Sequence, residues 1–345
     1  MKQTVGLVVH FITSHNRLMA LIDGFGRPIT YLRLSVTDRC DFRCVYCMAE
    51  DMQFLPRKDI LSLEELAIIA QQFVELGITA IRITGGEPLI RRGIDQLFST
   101  LGQLPELEEL TLTTNGSQLH HNINHLVAAN IKRINLSIDS LQAERFSALT
   151  RTGNLSRVIR NIDLALDAGL HIKLNSVILK GRNSDEVLDL VDFALHRGMD
   201  ISFIEEMPLG LITHHQRADA FISSETLRQR IQQEYSLTPS KQTTNGPSRY
   251  WQASGYSSLI GFISPHSQNF CGDCNRIRVT AEGKLLLCLG NEDSVDLKQI
   301  IRQYPNENER VKEAIIDGLV KKPEKHHFTT NGETDIVRFM NATGG

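Results

Sequence analysis

The sequence lacks the features of several large protein classes, and these absences limit what the chain can be. Its 345 residues carry a formal net charge of −3, so nucleic acid is not expected as the main partner. It contains no apolar run of the roughly 18 residues that a membrane span requires, and no export signal is evident. A GxxxxGKS or GxxxxGKT loop is also absent, which argues against a P-loop nucleotide triphosphatase.

Cysteine is absent everywhere except in two tight groups. The first group is Cys40, Cys44 and Cys47, and the second is Cys271, Cys274 and Cys288. Clustered thiols with short gaps bind a soft metal or an iron–sulfur cluster. A four-iron cluster held by three thiolates leaves one iron open to another ligand. Two such groups therefore predict chemistry at cluster irons instead of electron storage alone.

Two other uses of the cysteines are open at this point. Disulfide frameworks are typical of small secreted proteins, and neither the length nor the N-terminus of this chain fits that class. Structural zinc requires four ligands, which a CxxxCxxC trio cannot supply by itself, although zinc shared between the two groups would be feasible if they were adjacent. Reduced thiols without an export signal predict a cytoplasmic location.

The chain from Tyr31 to about Glu234 alternates between strand and helix patterns. Six segments have strand character: YLRLSV, ITAIRIT, LEELTLT, IKRINLSI, HIKLNSVI and MDISFIE. Helical spacing separates them, and the first helix has a candidate capping box at Ser62 and Glu65 and an ending glycine at Gly77. Six such units predict an α/β fold with a parallel sheet, in the form of an incomplete (β/α)6 barrel, with an open doubly wound sheet as the competing arrangement.

The chain is expected to divide into three parts. These are an N-terminal extension (1–23), a partial barrel (24–237) and a smaller C-terminal domain (238–345) that carries the second cysteine group. The C-terminal part contains short strand-like pieces, a hairpin formed by RIRVT and KLLLCL, and two helices. Its last twenty residues are polar and are expected to be flexible unless bound.

Residues suited to chemistry fall at the carboxyl ends of the expected strands, where active sites of parallel α/β proteins gather. Cys40 follows the first strand, GGEP (85–88) the second and TTNG (113–116) the third. A cysteine trio after a first strand, followed by GGEP after the second, resembles the radical S-adenosylmethionine superfamily. Together with YLRLSVTDRC, IRITGGEPLIRRG, CNRIR and a terminal Gly344-Gly345, the chain is similar to the GTP 3′,8-cyclase family of molybdenum cofactor biosynthesis, from about Gly24 to its end.

The resemblance implies a lyase that uses S-adenosylmethionine and two [4Fe–4S] clusters, one on each cysteine group. The implied reaction is radical cyclisation of GTP to 3′,8-cyclo-7,8-dihydro-GTP, an early step of molybdopterin biosynthesis. The implied S-adenosylmethionine contacts are Tyr46, Gly86, Glu87, Thr113, Ser137 and Met207. The implied GTP contacts are Arg33, Arg82, Lys173, Arg276 and Arg278. Gly344 and Gly345 are implied to enter the active site.

Several details of these implied contacts can be read from residue types. The glycines of GGEP would allow close backbone approach to the methionine moiety, and Glu87 would either accept from its ammonium group or fix the turn. Arg276 and Arg278 are two apart on a strand and share one face, which suits a polyanion such as triphosphate. The family pattern has lysine where Ala80 stands and arginine where Ser202 stands, so two expected phosphate contacts are missing.

Partners and rival functions follow from the same resemblance. It implies a flavodoxin-type electron donor and a downstream cyclic pyranopterin synthase, and it leaves a homodimer possible. The rival functions are a peptide-modifying radical enzyme with an auxiliary cluster and a zinc-stabilised binding module without catalysis. The histidine pairs 214–215 and 326–327 lack acidic partners at metalloprotease spacing and are expected at the surface.

Overall fold

The computed structural model of the chain describes residues 20–212, 215–328 and 334–345, so that most of the expected extension (1–23) and His214 lie outside the described residues. The strands are β1 (Leu21–Ile22), β2 (Pro28–Ile29), β3 (Tyr31–Ser35), β4 (Ala80–Thr84), β5 (Glu109–Thr114), β6 (Arg133–Ser137), β7 (His171–Val177), β8 (Asp200–Ile204), β9 (Leu237–Pro239), β10 (Arg249–Ala253), β11 (Leu259–Ile263), β12 (Arg276–Val279), β13 (Lys284–Leu286) and β14 (Ser294–Asp296). The α-helices are α1 (Leu63–Glu75), α2 (Ile94–Gly102), α3 (Leu119–Ala128), α4 (Ala143–Thr150), α5 (Leu155–Asp167), α6 (Val187–Leu195), α7 (Arg217–Ala220), α8 (Ser224–Ile231), α9 (Leu297–Gln303), α10 (Asn308–Leu319) and α11 (Met340–Thr343).

The local signals for the first helix are confirmed. The Ser62 hydroxyl accepts from the Glu65 amide at 3.1 Å, and the Glu65 carboxylate accepts from the Ser62 amide at 2.7 Å, so both unpaired amides of the helix start are satisfied. Gly77 follows the helix with φ +97°, a left-handed conformation that a glycine adopts without a side-chain clash. The six expected strands correspond to β3 through β8.

One large sheet organises the chain. Its twelve strands run in the order β14-β13-β12-β3-β4-β5-β6-β7-β8-β11-β10-β9. The central run from β12 to β11 is parallel throughout, and the remaining strands are antiparallel at the two edges. The predicted α/β fold with six strand–helix units is thus confirmed, and the C-terminal part extends the same sheet at both edges.

Alternation along the parallel strands separates a core face from a polar face. Apolar residues such as Leu32, Ile81 and Leu112 are buried in the core, where neighbouring helices pack side by side, α1 with α2, α2 with α3 and α3 with α5. The residues between them, such as Arg33 and Arg82, line a cavity on the opposite face. The two-residue period of a strand therefore assigns charged side chains to the inside of the open barrel.

The C-terminal part adds a strand at each end of the parallel run. β11 pairs with β8 at one end of the parallel run, and β12 pairs with β3 at the other end. The connection between them (264–275) carries Cys271 and Cys274 from one edge to the other. The domain boundary expected at 237/238 stays a prediction. Within the described ranges, no helix is both long and apolar enough to cross a membrane.

Candidate active site

A single cavity at the carboxyl ends of the parallel strands brings both cysteine groups together. All six cysteines are free and line it. The expected ligand contacts that also line it are Arg33, Tyr46, Arg82, Gly86, Thr113, Ser137, Lys173, Met207, Arg276, Arg278 and Gly345. Glu87 and Gly344 lie next to the cavity without lining it. Residues more than 200 positions apart in the chain thus meet at one site.

The loop that bears the first cysteine group is fixed by its neighbours. The Asp41 carboxylate accepts from Asn115 Nδ2 at 2.7 Å and from Ser117 Oγ at 2.6 Å, which ties the loop to the end of β5. The backbone amide of Arg43 donates to the carbonyl of Thr150 at 2.8 Å, which ties the loop to the end of α4. The thiols are therefore held on a rigid loop and need little reordering to accept a cluster.

The first group fits a cluster with several positive irons. Burial raises the pKa of Cys44 well above that of a free thiol, and the neighbouring Cys47 and Asp139 raise it further. Burial likewise raises the pKa of Cys47 to about 12, although an amide hydrogen bond from Asn341 opposes it. Thiols in such surroundings become thiolates only beside a strong cationic centre. In the described part of the chain, no three or more His, Cys, Asp or Glu side chains are grouped closely enough for one metal ion.

The GGEP glycines have a packing role beside the expected ligand contact. A Cβ at Gly86 would lie 2.3 Å from the carbonyl oxygen of Arg39, and one at Gly85 would lie 2.6 Å from that of Thr37. The glycines are thus required where the β4 end crosses the chain segment that leads into Cys40. Both also line the cavity, and their contact with the methionine moiety stays a prediction.

Glu87 fixes the turn. Its fully buried carboxylate accepts from the amides of Leu89 at 2.9 Å and Asn115 at 2.6 Å, and from Thr114 Oγ1 at 2.9 Å. Burial raises its pKa to about 8, in spite of the hydrogen bonds from those two amides. Of the two roles expected for Glu87, these contacts support fixing the turn, since both carboxylate oxygens already have protein donors.

Unsatisfied polar atoms mark where a ligand fits beside the first cysteine group. Thr113 Oγ1, Asn135 Oδ1 and Asn175 Oδ1 are buried in the cavity wall and have no hydrogen-bond partner among the described residues. Such groups are costly to bury unless a ligand or water satisfies them. The Tyr46 hydroxyl donates to Asp139 at 2.7 Å, which fixes its ring in the same wall. This donor and acceptor set fits a polar cofactor such as S-adenosylmethionine.

Five cations line the same cavity as the two cysteine groups. They are Arg33, Arg82, Lys173, Arg276 and Arg278, and in the ranges that the structure covers none of them forms an ion pair with a carboxylate. Burial lowers the pKa of Arg82 to about 10, with Arg33 and Arg133 lowering it further. Burial lowers the pKa of Lys173 well below its usual range, and Arg82 and Arg133 add to the shift. Uncompensated buried charges of one sign require a polyanion.

The two departures from the family pattern lie outside the cavity wall. Ala80 is buried on β4 opposite Tyr31, and Ser202 is fully buried on β8, with its hydroxyl 2.8 Å from that of Ser248. Neither lines the cavity. A Cβ on Gly261 would lie only 2.4 Å from Ser202 Oγ, so the site around residue 202 is closely packed. The five cations therefore line the cavity without a contribution from these two positions.

The second cysteine group has basic surroundings. Burial alone would raise the pKa of Cys274, but the charges of Arg276 and Lys322 outweigh it, and the pKa of this thiol is lowered. Arg276 also lies over the Phe270 ring, with its guanidinium carbon 4.9 Å from the ring centroid. A group of three thiols among cations suits both a cluster and an anionic ligand.

The C-terminal tail lies inside the cavity. Asn341 and Thr343 are buried, and Asn341 Nδ2 donates to the carbonyl of Asp38 at 2.7 Å. Arg278 donates to the carbonyls of Thr343 and Gly344, and Gly344 has φ +80° with no room for a side chain against Thr84. The end is thus bound by these contacts, which is the condition under which order was expected for it. Arg278 holds the tail, a contact that sequence reasoning did not foresee.

Some residues of the site gave little signal in the sequence. Tyr250 accepts from the Lys173 ammonium at 2.7 Å, and only the pairing of β10 with β11 brings it there. The surface prediction was wrong for His215, which is buried against Glu206 at 2.7 Å, and for His326, which lines the cavity. Each of these contacts depends on long-range packing that local patterns do not encode.

Comparisons with known proteins agree with this geometry. The model of the Radical SAM superfamily matches residues 34–194, and that of Molybdenum Cofactor Synthesis C matches residues 199–328. A protein of Ectopseudomonas mendocina (strain ymp) named GTP 3′,8-cyclase is 58% identical over 94% of this chain and 98% of its own length. Relatives of the same name in Saccharophagus degradans and, as GTP 3′,8-cyclase 2, in Pseudomonas aeruginosa are 58% and 57% identical over the same shares.

Solved structures give the same fold at low sequence identity. Streptococcus suis SuiB bound to S-adenosylmethionine has a TM-score of 0.61 and 17% identity, over 87% of this chain and 73% of that one. SuiB bound to its precursor peptide SuiA has a TM-score of 0.59 and 17% identity, over 87% and 72% of the two chains. At this identity the likeness carries the fold alone.

Proposed function

We propose a residue-level account of catalysis for this chain, which belongs to the GTP 3′,8-cyclase family of radical S-adenosylmethionine enzymes. It converts GTP to 3′,8-cyclo-7,8-dihydro-GTP in molybdenum cofactor biosynthesis, with S-adenosylmethionine and two [4Fe–4S] clusters as cofactors. The observation that carries the account is the shared cavity, which is lined by two cysteine trios and by five cations that form no ion pair among the described residues.

The first trio, Cys40, Cys44 and Cys47, is assigned to the cluster that reacts with S-adenosylmethionine. That cluster, when bound, supplies the electron that cleaves S-adenosylmethionine to methionine and a 5′-deoxyadenosyl radical. The trio's rigid loop, anchored through Asp41, holds the site in place. Thr113, Asn135 and Asn175 offer their unsatisfied oxygens to the cofactor. Tyr46, Gly86, Ser137 and Met207 complete this side of the cavity.

The cation wall is assigned to the triphosphate. Arg33, Arg82, Lys173 and Arg276 point a surplus of positive charge into a buried cavity, where charge-assisted hydrogen bonds to phosphate are strong. Lys173 is oriented by Tyr250, which accepts one of its protons. Binding GTP here would offset the unfavourable repulsion among the cations, which gives affinity without Ala80 or Ser202 taking part.

The second trio is assigned to a cluster at the guanine end of the substrate. Cys271 and Cys274 lie on the segment that joins β11 to β12, and Cys288 follows β13. All three line the same cavity as the cations. The tail, held by Arg278, fills part of this cavity and would exclude water from it. Orientation of both substrates in one enclosed space favours hydrogen abstraction over side reactions.

The assignment is tested by an anaerobic assay with S-adenosylmethionine, a reductant and GTP deuterated at C3′. Transfer of deuterium to 5′-deoxyadenosine, together with a cyclised product, is expected with GTP and not with ATP or CTP. Deuterium-free 5′-deoxyadenosine in the presence of full product formation would contradict the proposed abstraction. The peptide-modifying alternative has the fold of SuiB in its favour and no further observation.

Three partner assignments are proposed on family grounds. A flavodoxin-type protein is proposed as electron donor, a cyclic pyranopterin synthase is proposed to take up the product, and a second copy of the chain is proposed to form a homodimer. The enzyme is also proposed to work in the cytoplasm. Anaerobic turnover with reduced flavodoxin in place of a chemical reductant tests the first of these directly.

A further inference from the structure

A buried lysine lies directly behind the second cysteine group. Lys322 follows α10 and is 3% exposed. Its ammonium donates to the carbonyl of Arg276 at 3.1 Å and to that of Leu287 at 2.5 Å. The first carbonyl is two residues after Cys274, and the second is the residue before Cys288. One side chain thus joins the start of β12 to the residue after β13, next to two of the three thiols.

An arginine from the other end of the chain holds the third thiol. Arg27, in the β1–β2 hairpin, donates to the carbonyl of Cys271 at 2.7 Å. The same guanidinium donates to the carbonyls of Pro323 at 2.8 Å and Glu324 at 2.6 Å, the residues that follow Lys322. Asp23 fixes it through an ion pair of 2.6 Å. The backbone near every cysteine of the second group is therefore held by one of two buried cations.

The charge of Lys322 has no carboxylate beside it. Among the residues that the structure describes, Lys322 forms no ion pair, and its two acceptors are neutral carbonyls. Its charge acts on the neighbouring thiols of Cys274 and Cys288. A buried ammonium without an anionic partner is unfavourable, so the lysine is best accounted for by an anionic group at these thiols.

We propose that Lys322 and Arg27 are positioning residues of the second cluster: both preorganise its three thiols, and the Lys322 charge stabilises the more negative, reduced state of the cluster. This inference rests on the proposed function, because it takes the second trio as cluster ligands. A positive charge close to a cluster favours an added electron, so the lysine is expected to raise the reduction potential.

The test compares Lys322→Gln with Lys321→Gln in the full-length protein. Lys321 is the exposed neighbour on the same segment, and its backbone amide donates to the carbonyl of Gly318. Both changes are made in the parent enzyme and in a background with Cys40, Cys44 and Cys47 changed to alanine, so that the second cluster is observed alone. The readouts are iron per chain, the rate of iron release to a chelator, and the midpoint potential followed by electron paramagnetic resonance.

For Lys322→Gln we expect iron release from the second cluster to be about tenfold faster and its midpoint potential to be more negative, with Lys321→Gln unchanged. A general loss of stability would speed iron release without moving the potential in this direction. Parent-like iron release and potential in Lys322→Gln would overturn the inference.

Arg27→Lys keeps the experiment decisive if Lys322→Gln does not fold. It retains the charge but cannot make all three carbonyl contacts, so iron release is expected to accelerate while the potential stays near that of the parent. Unchanged iron release would overturn the positioning role. If the parent protein holds iron for one cluster only, the proposed function is overturned as well. If the parent holds both clusters and the variants keep its iron release and midpoint potential, this inference alone is overturned.

Discussion

The two cysteine groups have the same number of thiols but opposite electrostatic surroundings. Near the first group lie the carboxylates of Asp41, Glu87 and Asp139, and burial together with Glu87 raises the pKa of Cys40 far above its usual range. Near the second group lie the cations Arg276 and Lys322, which lower the pKa of Cys274 in spite of its burial. Ligand count alone would have made the two sites equivalent.

The difference in charge matches a difference in task. Negative surroundings make an added electron less favourable, so a cluster in the first site is a strong reductant once reduced, as cleavage of a sulfonium requires. Positive surroundings attract an anionic nucleotide to the second site. The tail reaches from the loop before the first group to the cations, since Asn341 donates to the carbonyl of Asp38 while Arg278 donates to that of Gly344.

The largest effect is expected when one thiol is removed from either group, because the two groups should then fail at different steps. Cys44→Ala should abolish cleavage of S-adenosylmethionine, because the electron source is lost. Cys274→Ala should spare much of the uncoupled cleavage but stop formation of the cyclised product. Both are measured as 5′-deoxyadenosine and product per chain under anaerobic conditions. Parent-rate cleavage by Cys44→Ala would show that the first trio is wrongly assigned.

A smaller but still large effect is expected at the tail that joins the two sites. A Cβ on Gly344 would lie 1.9 Å from Thr84 Oγ1, whereas one on Gly345 meets only ordinary contact at 3.7 Å. Gly344→Ala should therefore displace the tail and lower product formation by about 100-fold, through misplacement at the reacting centre. Gly345→Ala serves as the matched control and should stay near the parent rate.

Thermal unfolding and iron content test whether the tail effect is specific. Both should change little in Gly344→Ala, because the tail buries little apolar surface. The same holds for deletion of both glycines. Full product formation by the deleted protein would show that the tail lies in the cavity without taking part in the reaction.

A moderate effect is expected where cations meet the nucleotide. Arg276→Ala should weaken GTP binding by about 1.5–3 kcal/mol, since a charge-assisted contact to phosphate is lost, while binding of S-adenosylmethionine hardly changes. Arg249→Ala is the control, because that arginine is exposed and donates to Gln268 instead. Titration calorimetry with each ligand measures both affinities. Equal weakening of both ligands would point to a structural role for Arg276.

The smallest expected effect is the uptake of a proton by Lys173 when GTP binds. The pKa of Lys173 is lowered by burial, then by Arg82 and Arg133, so the free enzyme releases this proton at a lower pH than an exposed lysine would. A bound triphosphate favours the charged form and raises that pKa, so binding takes up a proton and weakens as pH rises between the two values. Calorimetry in buffers of different ionisation enthalpy measures the uptake. Lys173→Met should remove it, and an unchanged uptake would assign it to another group.

Much of the barrel could be predicted from the sequence because its signals are local. The strand alternation of β3 to β8, the capping box at Ser62 and the glycine ends of helices depend on residues a few positions apart. The cysteine trios are local as well, and so is the pairing of Arg276 with Arg278 on one strand face. Short-range patterns of this kind are set by backbone geometry and appear in any fold that contains the element.

What only the tertiary structure decided involves partners far apart in the chain. The addition of β11 and β12 to opposite ends of one parallel run brings the second trio to the first. The Arg39 backbone leaves no room for a side chain at Gly86. Arg278 donates to the tail, and Lys322 donates to two carbonyls beside the second trio. These contacts depend on which surfaces pack together once the sheet has formed, and a side chain's partner across such a packing leaves no periodic signal in the sequence.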